Sequence, residues 1–221
     1  MARTDRLIML TSFTLVRYGV VVMVARKAYH HGDLANALVE ASVELARAGG
    51  PPAVVLREAA RRVGVSATSA YRHFTNHHDL LAAVKVHAQR ELAAAMTAEV
   101  AAVDTTADPP HQALARLHAA GRGYLRFAQT EPGWFRAAFT PDIPTPSTSE
   151  SFRLLADALD ELVACGLMPA DRRDGAETAV WATVHGLAEL MIDGPLSGLD
   201  ETARAATIDR TQQFITHSLI A

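Results

Sequence analysis

The 221 residues, 49% hydrophobic and 20% charged, suit a globular chain with one sizeable core or two modest ones and exclude a disordered or fibrous one. The net charge of −3 hides a division: residues 26–90 hold nine Lys/Arg and six His against five Asp/Glu, whereas residues 91–221 hold nine basic against eighteen acidic side chains. That pattern fits a front that meets a polyanion and a back that avoids one, and the single cysteine, Cys165, excludes an internal disulfide framework and points to a reducing, cytoplasmic setting.

Alanine is abundant and alternating β-branched runs are scarce beyond the first 25 residues, so the expected fold is all-α. Residues 1–25 form an extension of separate status. Leu7–Ala25 is as apolar as a signal or membrane segment, but Arg17 divides it into runs too short to span a bilayer, and no small-x-small cleavage site follows. Translation from Met23 is the preferred reading, with an added helix or strand and an export signal as the alternatives.

From Asp33, a candidate cap, Leu34, Leu38, Ala41 and Leu45 recur at helical spacing until "AGGPP" stops the helix. A short helix over 56–63 turns Leu56, Ala59, Ala60 and Val63 inward and Arg57, Arg61 and Arg62 outward. Gly64 makes a tight turn, Ser66 caps a third helix to about His73, and a long helix starts near Asn76. Two short helices around one glycine form a helix-turn-helix, whose second helix fits the major groove of double-stranded DNA. Thr68 and Ser69 lie early on that helix, where side chains reach base edges, and Tyr71, Arg72 and His73 can reach base or phosphate, with a tyrosine packed on the helical unit and an exposed charge as the alternatives for Tyr71 and Arg72. Arg57 can reach a phosphate or guanine edge, or remain a solvated charge; Arg61 and Arg62 read mainly as surface charge.

The stretches "AYHHGDLANALVEASVELARAGG", "LREAARRVGVSATSAYRHF" and "HDLLAAV", in this order and spacing, resemble the DNA-binding region of the TetR family of one-component transcriptional regulators. The resemblance implies an all-helical homodimer, most often a repressor, whose larger domain binds a small molecule that lowers DNA affinity. It also implies contacts to bases or phosphates from Arg57, Thr68, Ser69, Tyr71 and His73. Two positions depart from the family pattern. Val55 stands where a Ser or Thr usually caps the second helix, and His77 stands where a Lys usually pairs with phosphate. At His77 full charge requires a protonated ring, so DNA affinity is expected to rise as pH falls from about 7.5 to 6, and His77→Lys to remove that dependence; the alternative is an exposed histidine that contributes nothing.

The 76–221 region reads as a helical ligand-binding and dimerisation domain behind a 26–75 DNA-binding domain. After a linker over 103–110 come a long helix with Leu117, Tyr124 and Leu125 on one side, a short one in "EPGWFRAAF", a proline-rich loop over 140–149, and three helices near 151–165, 171–192 and 199–220. "AVWATVHGLAELMIDG" resembles the Trp-x-x-x-His-Gly element of a TetR subgroup. Trp181 and His185, four apart, share a helix face, and Gly186 lets another helix approach. Candidate effector contacts are His118, Tyr124, Phe127, Trp134, Phe152, Trp181 and His185, each with an alternative reading as core. Gly121 and Gly123 leave room for a ligand or permit a bend. Val180, Val184, Leu187 and Met191, then Ile208, Ile215 and Leu219, mark the last two helices, which the resemblance pairs across a two-fold axis.

An enzyme is disfavoured, since phosphate loop, HExxH, nucleophile elbow and paired Cys ligands are all missing, and no cofactor or metal site is expected. The favoured reading is a ligand-responsive repressor on a palindromic operator, its effector apolar or aromatic. The alternative is a ligand-independent DNA-binding protein whose back half serves only dimerisation.

Overall fold

A computed structural model describes residues 34–141, 143 and 149–220. The readings of residues 1–25, the Asp33 cap and most of the 140–149 loop lie outside the described residues. Among those residues the chain forms nine α-helices and no strand: α1 (Leu34–Gly49), α2 (Leu56–Val63), α3 (Ala67–Tyr71), α4 (His77–Ala101), α5 (Pro109–Thr130), α6 (Pro132–Ala138), α7 (Glu150–Ala164), α8 (Ala176–Ile192) and α9 (Glu201–Ile220). None is long and apolar enough to cross a membrane.

The front is built as its periodicity dictates. Leu38 and Ala46 of α1, Leu56, Ala59 and Ala60 of α2, Ala70 of α3, and Leu80 and Val84 of α4 form one buried cluster, with Val63, Val65 and Phe74 packed on its edge. Full burial of side chains such as Leu38 and Leu80 contributes about 1.5–3 kcal/mol each. Ala137 and Ala138 of α6 belong to the same cluster, so the front and back halves meet through α6 as well as along α4.

Gly133 makes the α6–α1 contact possible. A Cβ there would stand 2.3 Å from the carbonyl oxygens of Ala46 and Arg47. Beside it, the Trp134 indole donates to the Val43 carbonyl at 2.9 Å, and Arg47 donates to Glu131 at 2.7 Å while its guanidinium lies 4.8 Å over the Trp134 ring. At the other end of α6, Arg136 forms a two-pronged pair with Asp193, just beyond α8, at 2.7 and 2.5 Å. From α4, Gln89 donates to the Ala138 carbonyl at 2.8 Å, and Lys85 donates to the carbonyls of Thr140, at 3.2 Å, and Ile143. Lys85 is buried, and burial pulls its pKa below the usual lysine value, so these carbonyls supply the acceptors that its ammonium would otherwise find in water.

The start of α8 departs from the expected 171. Ala170–Arg172 form a 3-10 turn, Gly175 takes φ 72, and the α-helix begins at Ala176. The reason is tertiary: Arg173 pairs with Asp160 of α7 and Glu177 of α8, both at 2.6 Å, which fixes the bend. The apolar stripes that mark the last two helices pack inward. Val180, Leu187, Met191, Ile215 and Leu219 are buried within the protomer itself. What α8 and α9 leave outside is another face, carrying Ala179, Ala182 and Leu190 on one and Phe214, 67% exposed, on the other.

Candidate functional site

The reading surface is held by local geometry. Val55 adopts an extended backbone and caps α2 without a side-chain hydrogen bond, as its side chain dictates. Gly64 ends α2 at φ 79, ψ 28, a left-handed conformation that a Cβ disfavours, and the Val65 amide then donates to the Ala60 carbonyl at 3.0 Å. Ser66 opens α3: its hydroxyl accepts from the Ser69 amide at 3.1 Å and lies 2.9 Å from the Ser69 hydroxyl. Ser69 is thereby half-buried and turned toward its own cap, whereas Thr68 stands free on the surface beside Tyr71, which is 44% exposed. Helix α3 ends at Tyr71, so Arg72 and His73 lie in the following turn, both exposed.

On α2 the arginines divide. Arg61 reaches Glu58 with two hydrogen bonds, 2.8 and 2.7 Å, and Arg62 adds a third at 3.4 Å. The Arg61 hydrogen bonds, foremost, pull the Glu58 carboxyl down to about 2. Arg57 is exposed at the start of α2 and is the arginine left to face a polyanion. Asn76 caps α4 by accepting from the Asp79 amide at 2.8 Å, while Asp79 accepts from Thr75 and Asn76, each at 3.0 Å. His77 is the first residue of α4 and is exposed.

The back holds a narrow cavity of about 40 Å³ between α4, α5, α7, α8 and α9. Of the residues named from the sequence as effector contacts, His118, Tyr124 and Trp181 line it; Gln212 and Thr211 were not singled out from the sequence, and Val184 only as part of an apolar stripe. Polar residues on a terminal helix ordinarily read as solvated, and only the Ile208/Thr211/Gln212/Ile215 spacing hinted at a shared face. The other candidates lie elsewhere. Phe127 is buried in the core, Trp134 sits between α1 and α6, and Phe152 leans on Trp181 at 5.6 Å. His185 stands behind the wall, its Nδ1 2.8 Å from the Tyr124 hydroxyl. The two glycines also part: a Cβ at Gly123 would lie 2.6 Å from Met96 Cα, a close helix crossing with no room for a ligand, whereas Gly121 borders the cavity.

An aromatic cluster joins the cavity to α6. Tyr124 meets Trp181 at 5.3 Å and Phe135 of α6 at 5.6 Å, and Phe139 meets His185 at 4.7 Å. Burial pushes the Tyr124 phenol up, so its O–H stays protonated and can donate to His185. Burial pulls His185 below its ordinary 6.5, against Glu189, and likewise lowers His118, where Arg122 adds to the effect. Folding therefore favours both neutral rings: their stabilisation is complete above 6.5 and is lost as pH falls through the lower folded values. The melting temperature is expected to hold between about pH 8 and 7 and to fall below about 6.5, and His118→Gln with His185→Gln should flatten that fall. A melting temperature that stays level to about pH 5 would contradict this assignment.

Residues 38–84 match the family described as "Bacterial regulatory proteins, tetR family", and residues 117–213 match "Tetracyclin repressor-like, C-terminal domain". A comparison with curated proteins found no match. Among solved structures, a protein of unknown function from Rhodococcus sp. RHA1 superposes with TM-score 0.66 at 22% identity, covering 88% of this chain and 100% of its own. A putative tetR family transcription regulator from Shewanella sp. PV-4 gives 0.58 at 17% identity, covering 85% and 98%. A tetR-family transcriptional regulator from Streptomyces coelicolor gives 0.59 at 18%, covering 85% and 80%.

Proposed function

Because the chain belongs to the TetR family of DNA-binding transcriptional regulators, we propose that it is a cytoplasmic, homodimeric, ligand-responsive repressor acting at a palindromic operator. The Trp181, His185 and Gly186 spacing further groups it with the regulators that carry a Trp-x-x-x-His-Gly element. The observation that carries the reading is the exposed polar face of α3, presented by a capped turn and backed by a closed core. In this reading Thr68, Tyr71 and His73 meet bases or phosphates, Arg57, Arg72 and His77 meet phosphates, and Ser69 acts chiefly by setting the start of α3.

Selection of binding sites from random duplex DNA at fixed salt tests it. A palindrome should be enriched. Tyr71→Ala should weaken its binding by about 100-fold across two protomers, with the melting temperature nearly unchanged, because the side chain is 44% exposed. No enrichment at low salt would overturn the reading at its centre.

Effector control enters through α6, which is tied to α1 at one end and to Asp193 beyond α8 at the other, with Phe135 against the cavity-lining Tyr124. A ligand shifts DNA affinity only as far as it prefers one arrangement of these contacts over another. The narrowness of the cavity favours a second reading, in which the back half serves dimerisation alone. Saturable quenching of Trp181 by a small molecule that also releases DNA would decide against it.

A further inference from the structure

The chemistry of the effector, on the ligand-responsive reading above, follows from what walls the cavity. Its lining carries no Asp, Glu, Lys or Arg among the described residues; apart from His118, Tyr124, Thr211 and Gln212 it is hydrocarbon, the Met96 thioether, indole or glycine. An ionised ligand would leave water for walls that carry no opposite charge, since the charges felt at His118, those of Arg122 and Asp209, stand outside the lining; the desolvation penalty is then far larger than apolar contacts recover. His118 gives no cationic help, since burial and Arg122 both favour its neutral ring.

The polar groups are also placed unevenly. The Tyr124 hydroxyl is taken by His185, so the end near Tyr124 and Trp181 presents ring faces and edges. Six residues earlier on α5, roughly 9 Å along the helix, lies the polar end. There Gln212 Nε2 donates to the His118 carbonyl at 2.9 Å, and His118 Nε2 lies 2.8 Å from the Thr216 hydroxyl. These two contacts close α9 onto α5 over Gly121, where an added Cβ would meet only Gln212 Nε2, at 3.8 Å.

The cavity of about 40 Å³ holds a few waters, not a ring system. One wall has to move, and α9 is the weakest of them: of its 20 residues only Ile215 and Leu219 are buried. We propose that the cavity takes an uncharged ligand, an aromatic body about two rings long with one neutral carbonyl or hydroxyl, which displaces α9 and takes over the hydrogen-bonding groups of Gln212 and His118. Ring edges of Tyr124 and Trp181 receive the body, and the oxygen replaces the α9–α5 closure.

A matched naphthalene series tests this at about pH 7.5, where the acid and the amine are ionised: 2-acetonaphthone, 2-naphthoate and 2-naphthylmethylamine, with plain naphthalene as reference. Binding is read by Trp fluorescence and by melting temperature. The ketone should bind saturably, and the two ionised members at least about tenfold more weakly. Gln212→Ala loosens the closure for every member alike, so the ketone's advantage over naphthalene should shrink several-fold. Gly121→Leu, which fills the floor, should abolish binding of both; Val184→Phe fills the site from α8 should the first variant fail to fold. The proposal is overturned by equal binding of the naphthoate or the amine, by binding that survives a folded filling variant, or by failure of every member to bind up to its solubility. Ketone binding with this pattern but no release of operator DNA would uphold the cavity chemistry and sink the ligand-responsive reading instead.

Discussion

If the protein pairs as proposed, Gly186→Arg is expected to leave the protomer folded, turn the dimer into a monomer and lower specific operator affinity by at least about 1000-fold. Within the protomer, a Cβ at Gly186 would meet nothing within 4 Å, so a side chain can leave the helix there without a clash at its first carbon. On the same helix Ala179, Ala182 and Leu190 are exposed, and on α9 Phe214 is 67% exposed. Small residues in a row let two helices approach closely, and an exposed phenylalanine gains from being covered. One reading head contacts too few base pairs to select a site, which is why loss of the partner removes specificity and not only affinity. Sedimentation equilibrium gives the assembly state and fluorescence anisotropy the operator affinity. A variant that remains dimeric, or a monomer that still selects the operator, would show that pairing does not use this face of α8.

Gly133→Ala should act on the opposite kind of contact. Its Cβ would sit 2.3 Å from two backbone oxygens at the end of α1, and backbone cannot rotate away as a flexible side chain can. We expect a loss of about 3 kcal/mol and a fall in melting temperature of roughly 6–12 °C. The neighbouring Trp134 to Val43 hydrogen bond and the Arg47–Glu131 pair should loosen with it, because they span the same α1–α6 junction. Gly121→Ala is the control. Its Cβ has ordinary space, so the gain in helix propensity should appear instead, about 0.5–1 kcal/mol of added stability. Equal effects from the two glycines would mean that the α6–α1 approach is not what Gly133 is there for.

The helix-turn-helix was legible in the sequence because everything that makes it is local. Gly64 supplies the positive φ, Ser66 the cap, and Leu56, Ala59 and Ala60 the inner face, all within eleven residues of one another and all observed in those roles. The poor cap at Val55 was equally readable, since a side chain without an acceptor cannot cap in any fold. The start of α8 was not readable, because Arg173 draws its partners from Asp160 and Glu177 on two different helices.

The candidate ligand site was half legible. An aromatic or histidine at helical spacing looks the same whether it fills the core, as Phe127 does, bridges two helices, as Trp134 does, or lines a cavity, as Tyr124 and Trp181 do. Thr211 and Gln212 were passed over for the converse reason: polar residues on a last helix belong to solvent until another helix is laid against them. The sequence by itself determined the all-helical class, the reading helix and the residues it presents, because helix period, turn glycine and cap act between near neighbours in the chain. Only the tertiary structure decided which aromatics wall the cavity and which apolar face of α8 and α9 is spent inside the protomer. Periodicity shows that a helix has a face to bury; what that face meets depends on residues distant in the chain, brought there by packing.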